Sequence, residues 1–101
     1  MTRAKGGYTY IMSNVHRTTL YIGVTSDLYT RVYQHKYEYG SAFTKKYNCV
    51  DLMYYEFHPD IETAIKREKR LKKYKRDWKW DLIDEMNPER RDLFDEVKDM
   101  R

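Results

Sequence analysis

The 101-residue chain has a single cysteine, Cys49, which excludes a disulfide framework and a cysteine-rich zinc site. Two prolines and four glycines exclude a collagen-like or low-complexity segment. No apolar run approaches the roughly 18–20 residues that a membrane helix needs. The first residues, MTRAKGGYTY, lack the apolar core of a secretory signal. These shortages point to a reducing, cytoplasmic setting and to no membrane partner. The length fits one domain over 1–101, and a chain of this size buries roughly 60–65% of its unfolded surface.

Charged residues make up 36% of the chain and aromatic residues 16%. With a 41% hydrophobic fraction there is enough for one modest core, so the chain is not a disordered one. The charge is unevenly spread. Residues 1–65 carry 7 Lys/Arg against 6 Asp/Glu. From Lys66 to Lys79 there are nine basic residues and two acids, Glu68 and Asp77, a net of +7. From Asp81 onwards eight acids face four bases. The basic stretch is an electrostatic footprint for phosphate. The competing reading is a solvated helix face neutralised by the acidic C-terminal segment folding back on it.

Residues 8–13 (YTYIMS) and 20–24 (LYIGV) alternate as strands do, with Tyr8, Tyr10 and Met12 on one face and Thr9, Ile11 and Ser13 on the other. The polar loop Asn14 to Thr19 suits a hairpin. Ser26 or Asp27 is placed to cap a helix whose apolar stripe is Leu28, Val32 and Tyr39, with Gly40 as its stop. A third strand at 50–57 ends at His58-Pro59. Asp60 then caps a helix bearing Ile61, Ala64, Ile65 and Leu71 and running to Lys73. Another helix begins near Asp77 with Trp78, Leu82 and Ile83 on one face, and a last one spans Glu89 to Met100 after Asn87-Pro88. The order β-β-α-β-α-α-α predicts an α/β chain of the α+β kind: a small, mostly antiparallel, three-stranded sheet flanked by helices. Its core is expected over about 7–87, with an acidic helical segment at 88–101.

Three features depart from a plain amphipathic pattern. Glu68 shares the angular sector of Ile61, Ala64, Ile65 and Leu71, where a carboxylate needs a partner or a metal ion; Lys72, four residues on, is the simple partner. Arg31 and His35 lie one turn apart beside the Leu28/Val32 stripe and point to one spot near the sheet edge. An arginine fork suits a phosphate and a histidine suits proton traffic, although a surface arginine beside a half-buried histidine is the commoner pairing. Eleven tyrosines require many hydroxyls at the surface. Two of them, Tyr10 and Tyr21, fall on adjacent strands, and Gly23 has the parity of Tyr21, where a strand glycine marks a close approach by another backbone or a ligand.

Together these positions resemble the GIY-YIG nuclease family, in particular its small stand-alone members. Tyr8-Thr9-Tyr10 stands where that family has Gly-Ile-Tyr, and only Tyr10 matches. Tyr21-Ile22-Gly23 is the second motif intact. Arg31 follows that glycine at the family's spacing, His35 comes one turn later, and Glu68 lies in a stretch (AIKREKRLKKYKR) similar to the family's metal-binding helix. Asn87, in MNPERRDL, resembles the segment after the last core helix, with Arg90 where the small members usually have tryptophan. The resemblance covers about residues 7–95.

The resemblance implies a metal-dependent endonuclease acting on nucleic-acid phosphodiesters, DNA foremost. Glu68 would hold one Mg²⁺ or Mn²⁺ ion, Arg31 would clamp the scissile phosphate, and Tyr10, Tyr21 or His35 would take the proton of the attacking water. Gly23, Lys66, Arg67, Lys69, Arg70, Lys72, Lys73, Lys75 and Arg76 would contact nucleic acid, with Asn87 supporting the site. Two alternatives stand beside this: a nucleic-acid-binding module without turnover, and a docking subunit of a DNA-processing complex that uses its acidic C-terminal helix and exposed aromatics such as Trp78 and Trp80. Cys49 reads as a small apolar residue rather than a nucleophile.

Overall fold

The computed structural model describes residues 6–38 and 47–100; Tyr39 and Gly40 lie outside them. The elements are β1 (Gly7–Ser13), β2 (Leu20–Thr25), α1 (Leu28–Tyr37), β3 (Asp51–His58), α2 (Ile61–Lys72), α3 (Arg76–Met86) and the short α4 (Phe94–Val97), which continues into one 3-10 turn, Lys98–Met100. The described strands form one antiparallel sheet in the order β2-β1-β3. This is the expected three-stranded, helix-flanked α+β arrangement, with β1 in the middle.

Alternation along β1 assigns its side chains to two cores. Tyr10 and Met12 pack with Leu28, Val32, Cys49, Leu52, Leu93 and Val97 under α1 and the C-terminal segment. Ile11 faces the other way, into Ile22, Met53, Tyr54, Leu71, Trp80 and Ile83 under α2 and α3. The pairing of β1 with β3 shifts register between Ile11 and Met12, so that Tyr54 opposes Ile11 and Leu52 opposes Met12. Met53 is skipped, and the two sequence neighbours Met53 and Tyr54 both reach the second core. With both faces of β1 dry, Thr9 is buried too. Its hydroxyl donates to the Ala64 carbonyl at 2.8 Å, which meets the polar group's need and ties β1 to α2.

Asp27 and Asp60 cap α1 and α2, accepting the Thr30 and Thr63 backbone N–H groups at 3.2 and 2.7 Å. Each such cap contributes about 1 kcal/mol. In the hairpin loop the Asn14 side chain accepts from the Thr18 and Thr19 backbone, and Arg17, at a φ of 59°, reaches Asp51 at 2.8 Å.

The C-terminal third departs from the sequence pattern. On α3 the buried residues are Trp80 and Ile83, whereas Trp78 is 52% exposed, so the expected Trp78-Leu82-Ile83 face is rotated. Trp80 is covered rather than exposed, because the Arg90 guanidinium lies 4.2 Å from its ring centroid. The expected helix from Glu89 is helical only from Phe94. Asn87 ends α3, and Arg90 takes a φ of 52°, through which no right-handed helix continues. Leu93 then donates its N–H to the Leu52 carbonyl at 2.8 Å, which lays this segment on β3. Leu93 and Val97 are buried, so the core extends beyond residue 87.

Among the described residues the acidic segment makes no ion pair with the basic stretch. Asp84, Asp92, Asp95 and Glu96 pair instead with Arg90, Lys36, Lys98 and Arg91. Among the described residues no helix is long and apolar enough to cross a membrane.

Candidate active site

Tyr10, in the middle of the central strand, is 1% exposed, and its hydroxyl lies 2.9 Å from Nε2 of His35 on α1. Strand pairing sets Gly23 of β2 directly across from Tyr10. A Cβ at Gly23 would meet Cζ and the hydroxyl oxygen of Tyr10 at 2.5 Å. Glycine alone leaves the space that the ring fills, so a close approach of the kind expected at Gly23 is made here by the Tyr10 side chain. Tyr21, two residues earlier on the edge strand, is half-buried. Its ring centroid lies 6.4 Å from that of Tyr10 and 5.2 Å from that of His35.

Arg31 is one turn before His35 on α1 and half-buried. Burial raises the Tyr10 hydroxyl well above the ordinary tyrosine range; the nearby Tyr21 and Glu68 add to this and Arg31 opposes it. Burial, helped by the Arg31 charge, lowers His35 to about 4. At neutral pH Tyr10 therefore keeps its proton and His35 is an uncharged imidazole. His35 Nδ1 is buried with no hydrogen-bond partner among the described residues. An open polar atom of this kind costs about 1–3 kcal/mol.

Glu68 of α2 belongs to the same electrostatic neighbourhood, since its charge bears on Tyr10. Its side chain is 15% exposed and Lys72 Nζ stands 3.4 Å away, the i,i+4 pair that the sequence allows. Beside β2 a groove of about 230 Å³ is lined by Leu20, Tyr21, Ile22, Lys72 and Lys79. Lys72 ends α2 and Lys79 sits on α3, so packing of two separate helices beside β2 brings them to one groove, which is why sequence reading left Lys79 out of the site.

Among the described residues no group of three or more His, Cys, Asp or Glu is placed to hold a metal ion. Mg²⁺ commonly takes one or two carboxylates and completes its shell with water and substrate phosphate. The lone, sheltered carboxylate of Glu68 fits an ion shared with substrate, and does not fit an all-protein cage.

The other residues singled out in the sequence lie elsewhere. Arg67 points to β3, its Nε donating to Glu56 at 2.7 Å. Lys75 lies over the Trp78 ring at 5.5 Å, and Arg76 donates to the Thr18 carbonyl at 2.8 Å. Lys66, Lys69, Arg70 and Lys73 are exposed. Asn87 is buried; its side-chain amide donates to the Met53 and Arg91 carbonyls at 3.2 and 2.7 Å, and its Oδ1 accepts from the Arg91 N–H. Cys49 is fully buried, with its thiol pushed up to about 11 by burial, as befits a packing residue.

The family model described as the GIY-YIG catalytic domain matches residues 6–81, which include Tyr10, Tyr21, Gly23, Arg31, His35 and Glu68. Among curated proteins, a UPF0213 protein of Syntrophus aciditrophicus is 36% identical over 84 residues, covering 82% of this chain and 94% of its own. A UPF0213 protein of Staphylococcus epidermidis is 36% identical over 67 residues, 66% of this chain and 82% of its own. One from Streptococcus pyogenes serotype M3 is 37% identical over 71 residues, 70% of this chain and 76% of its own. No solved structure gives a significant match.

Proposed function

The chain belongs to the GIY-YIG family, and from that premise we propose that it is a metal-dependent endonuclease that hydrolyses nucleic-acid phosphodiester bonds, DNA foremost. The observation that carries this reading is the convergence of Tyr10, Tyr21, Arg31, His35 and Glu68 beside a groove with two lysines. A cytoplasmic place accords with the free, buried Cys49 thiol.

Phosphodiester hydrolysis needs a clamp for the phosphate, a held water and a route for its proton. Arg31 supplies the clamp, a planar donor fork whose charge is permanent. Its charge gains in value as the phosphate oxygens become more negative in the transition state. Of the two tyrosines, Tyr21 lines the groove and is open to substrate, while Tyr10 is closed off. Tyr21 orients the attacking water and, once its own hydroxyl proton has passed to solvent in the groove, its phenolate oxygen accepts the proton of that water. Tyr10 and His35 form the bonded pair behind it and fix the positions of the rings. Glu68 would hold Mg²⁺ or Mn²⁺, which supplies charge neutralisation at the phosphate and the leaving oxygen. Lys72 and Lys79 attract the neighbouring backbone phosphates, an affinity that weakens as salt rises.

Binding without turnover is the second reading, favoured by the Lys72 ammonium that already pairs with Glu68. Labelled single-stranded, duplex and branched DNA and RNA, incubated with Mg²⁺ or Mn²⁺ and with EDTA, separate the two. Cutting that is lost in EDTA and in Glu68→Ala supports the nuclease. Salt-sensitive binding by both proteins with no cutting supports the binder.

A further inference from the structure

A second cationic pocket lies on the flank of α2 opposite Glu68. At 3.6 residues per turn, Arg67 and Glu68 leave the buried Ala64/Leu71 stripe on opposite sides. Arg67 meets Glu56 of β3, the other edge strand, with Nε 2.7 Å from Oε1. The same carboxylate bonds the Tyr54 hydroxyl and, at 2.9 Å, His58 Nε2. Burial works to raise Glu56, but the hydrogen bonds from Tyr54, Arg67 and His58 and the Arg67 charge outweigh it and hold the carboxyl below its usual range. Arg67 also stands 6.0 Å from the Tyr74 ring centroid. Its guanidinium is therefore fixed in place, unlike that of a free surface arginine.

Around it His58, Thr63, Lys66 and Arg70 complete a pocket of about 260 Å³. Glu56 offsets the charge of Arg67, while Lys66 and Arg70 have no ion pair among the described residues. The Asp60 carboxylate that caps α2 bears on Lys66 without pairing with it, so the pocket offers one preset fork and two cations outside any ion pair, a donor set suited to the several oxygens of a phosphate. The width of a helix with its side chains is about 10–12 Å, so a strand crossing α2 from the Lys72/Lys79 groove reaches this pocket within a few nucleotides.

We propose that this pocket is a second phosphate-binding site, holding a backbone phosphate of the bound nucleic acid away from the scissile bond. The proposal rests on the nucleic-acid reading above, but its test does not need turnover. Labelled oligonucleotide binding is measured by anisotropy in EDTA for the parent, for Lys66→Gln/Arg70→Gln, and for Arg91→Gln/Lys98→Gln, which removes equal charge from the C-terminal segment instead of α2. The expected result is a loss of about tenfold or more for the pocket pair, with a log–log salt slope shallower by about 2, and about threefold or less for the C-terminal pair. Equal losses for the two pairs, or none for the pocket pair, overturn the site. Titration with inorganic phosphate, followed by backbone NMR, is expected to shift Thr63 and Arg70 amides. Phosphate shifts without any loss of oligonucleotide affinity in the pocket pair would mark a site for a free phosphate ligand and overturn the strand-holding role. If the parent cuts nothing but the pocket pair still binds weakly, the nuclease reading fails while this one stands.

Discussion

The Tyr10 ring lies so close to Gly23, its cross-strand partner, that a Cβ on that glycine would stand 2.5 Å from the hydroxyl oxygen. The glycine of the second motif is thus matched to the tyrosine of the first. Gly23→Ala must push the ring off His35 or the strands apart. Overpacking of this kind costs about 1–3 kcal/mol. Urea unfolding is expected to show that loss, with cleavage falling further than the loss of folded protein explains. A variant as stable and as active as the parent would mean that the ring is free to move.

The two tyrosines are expected to behave oppositely. Tyr10→Phe removes the bond to His35 Nε2 and leaves a second buried nitrogen open, at a cost of about 1–3 kcal/mol in stability. Tyr21→Phe, at the half-buried sheet edge, is expected to cost less stability than Tyr10→Phe and to lower the cleavage rate more. Parallel denaturation and single-turnover cleavage read both. A Tyr21→Phe variant that cuts at the parent rate removes that hydroxyl from the reaction.

Much of this arrangement was legible from local chemistry. Alternation assigned Tyr10 and Ile11 to opposite faces, and the aspartates at 27 and 60 capped the helices that follow them. Arg31, His35 and Glu68 stood out because each broke an apolar or neutral pattern. What pattern alone did not reveal depends on contacts between distant segments. Which tyrosine is sealed and which open depends on β1 being the central strand and β2 an edge. The register shift at Met53, the left-handed turn at Arg90 and the cover that Arg90 gives Trp80 have no periodic signal. Lys79 and His58 join their pockets only through packing of separate elements.

His35 carries a pH dependence whose sign follows from its lowered value. The unfolded chain binds a proton near 6.5 and the folded one only near 4, so the unfolded state holds more protons between those values. Stability is therefore expected to fall as pH drops from about 6.5 towards 4, by on the order of 2–3 kcal/mol from this group. In His35→Gln that part of the fall is absent. Melting curves across pH 4–8 that have the same shape in both proteins would contradict a buried, neutral imidazole.

Asn87 is expected to act as a strut. Its amide bonds the backbone of β3 and of the turn after α3, so Asn87→Ala takes the donor from the buried Met53 carbonyl at a cost of about 1–3 kcal/mol. Cleavage per folded molecule is expected to stay at the parent value. A well-folded Asn87→Ala with a slow rate would place that side chain in the reaction.

The most direct test of the cluster as a phosphodiesterase centre is the single-turnover cleavage rate of Arg31→Ala beside the parent, in Mg²⁺, with oligonucleotide binding measured separately in EDTA. The phosphate clamp predicts a rate lower by about 100-fold or more with affinity changed only a few-fold. Equal rates for the two proteins would contradict it.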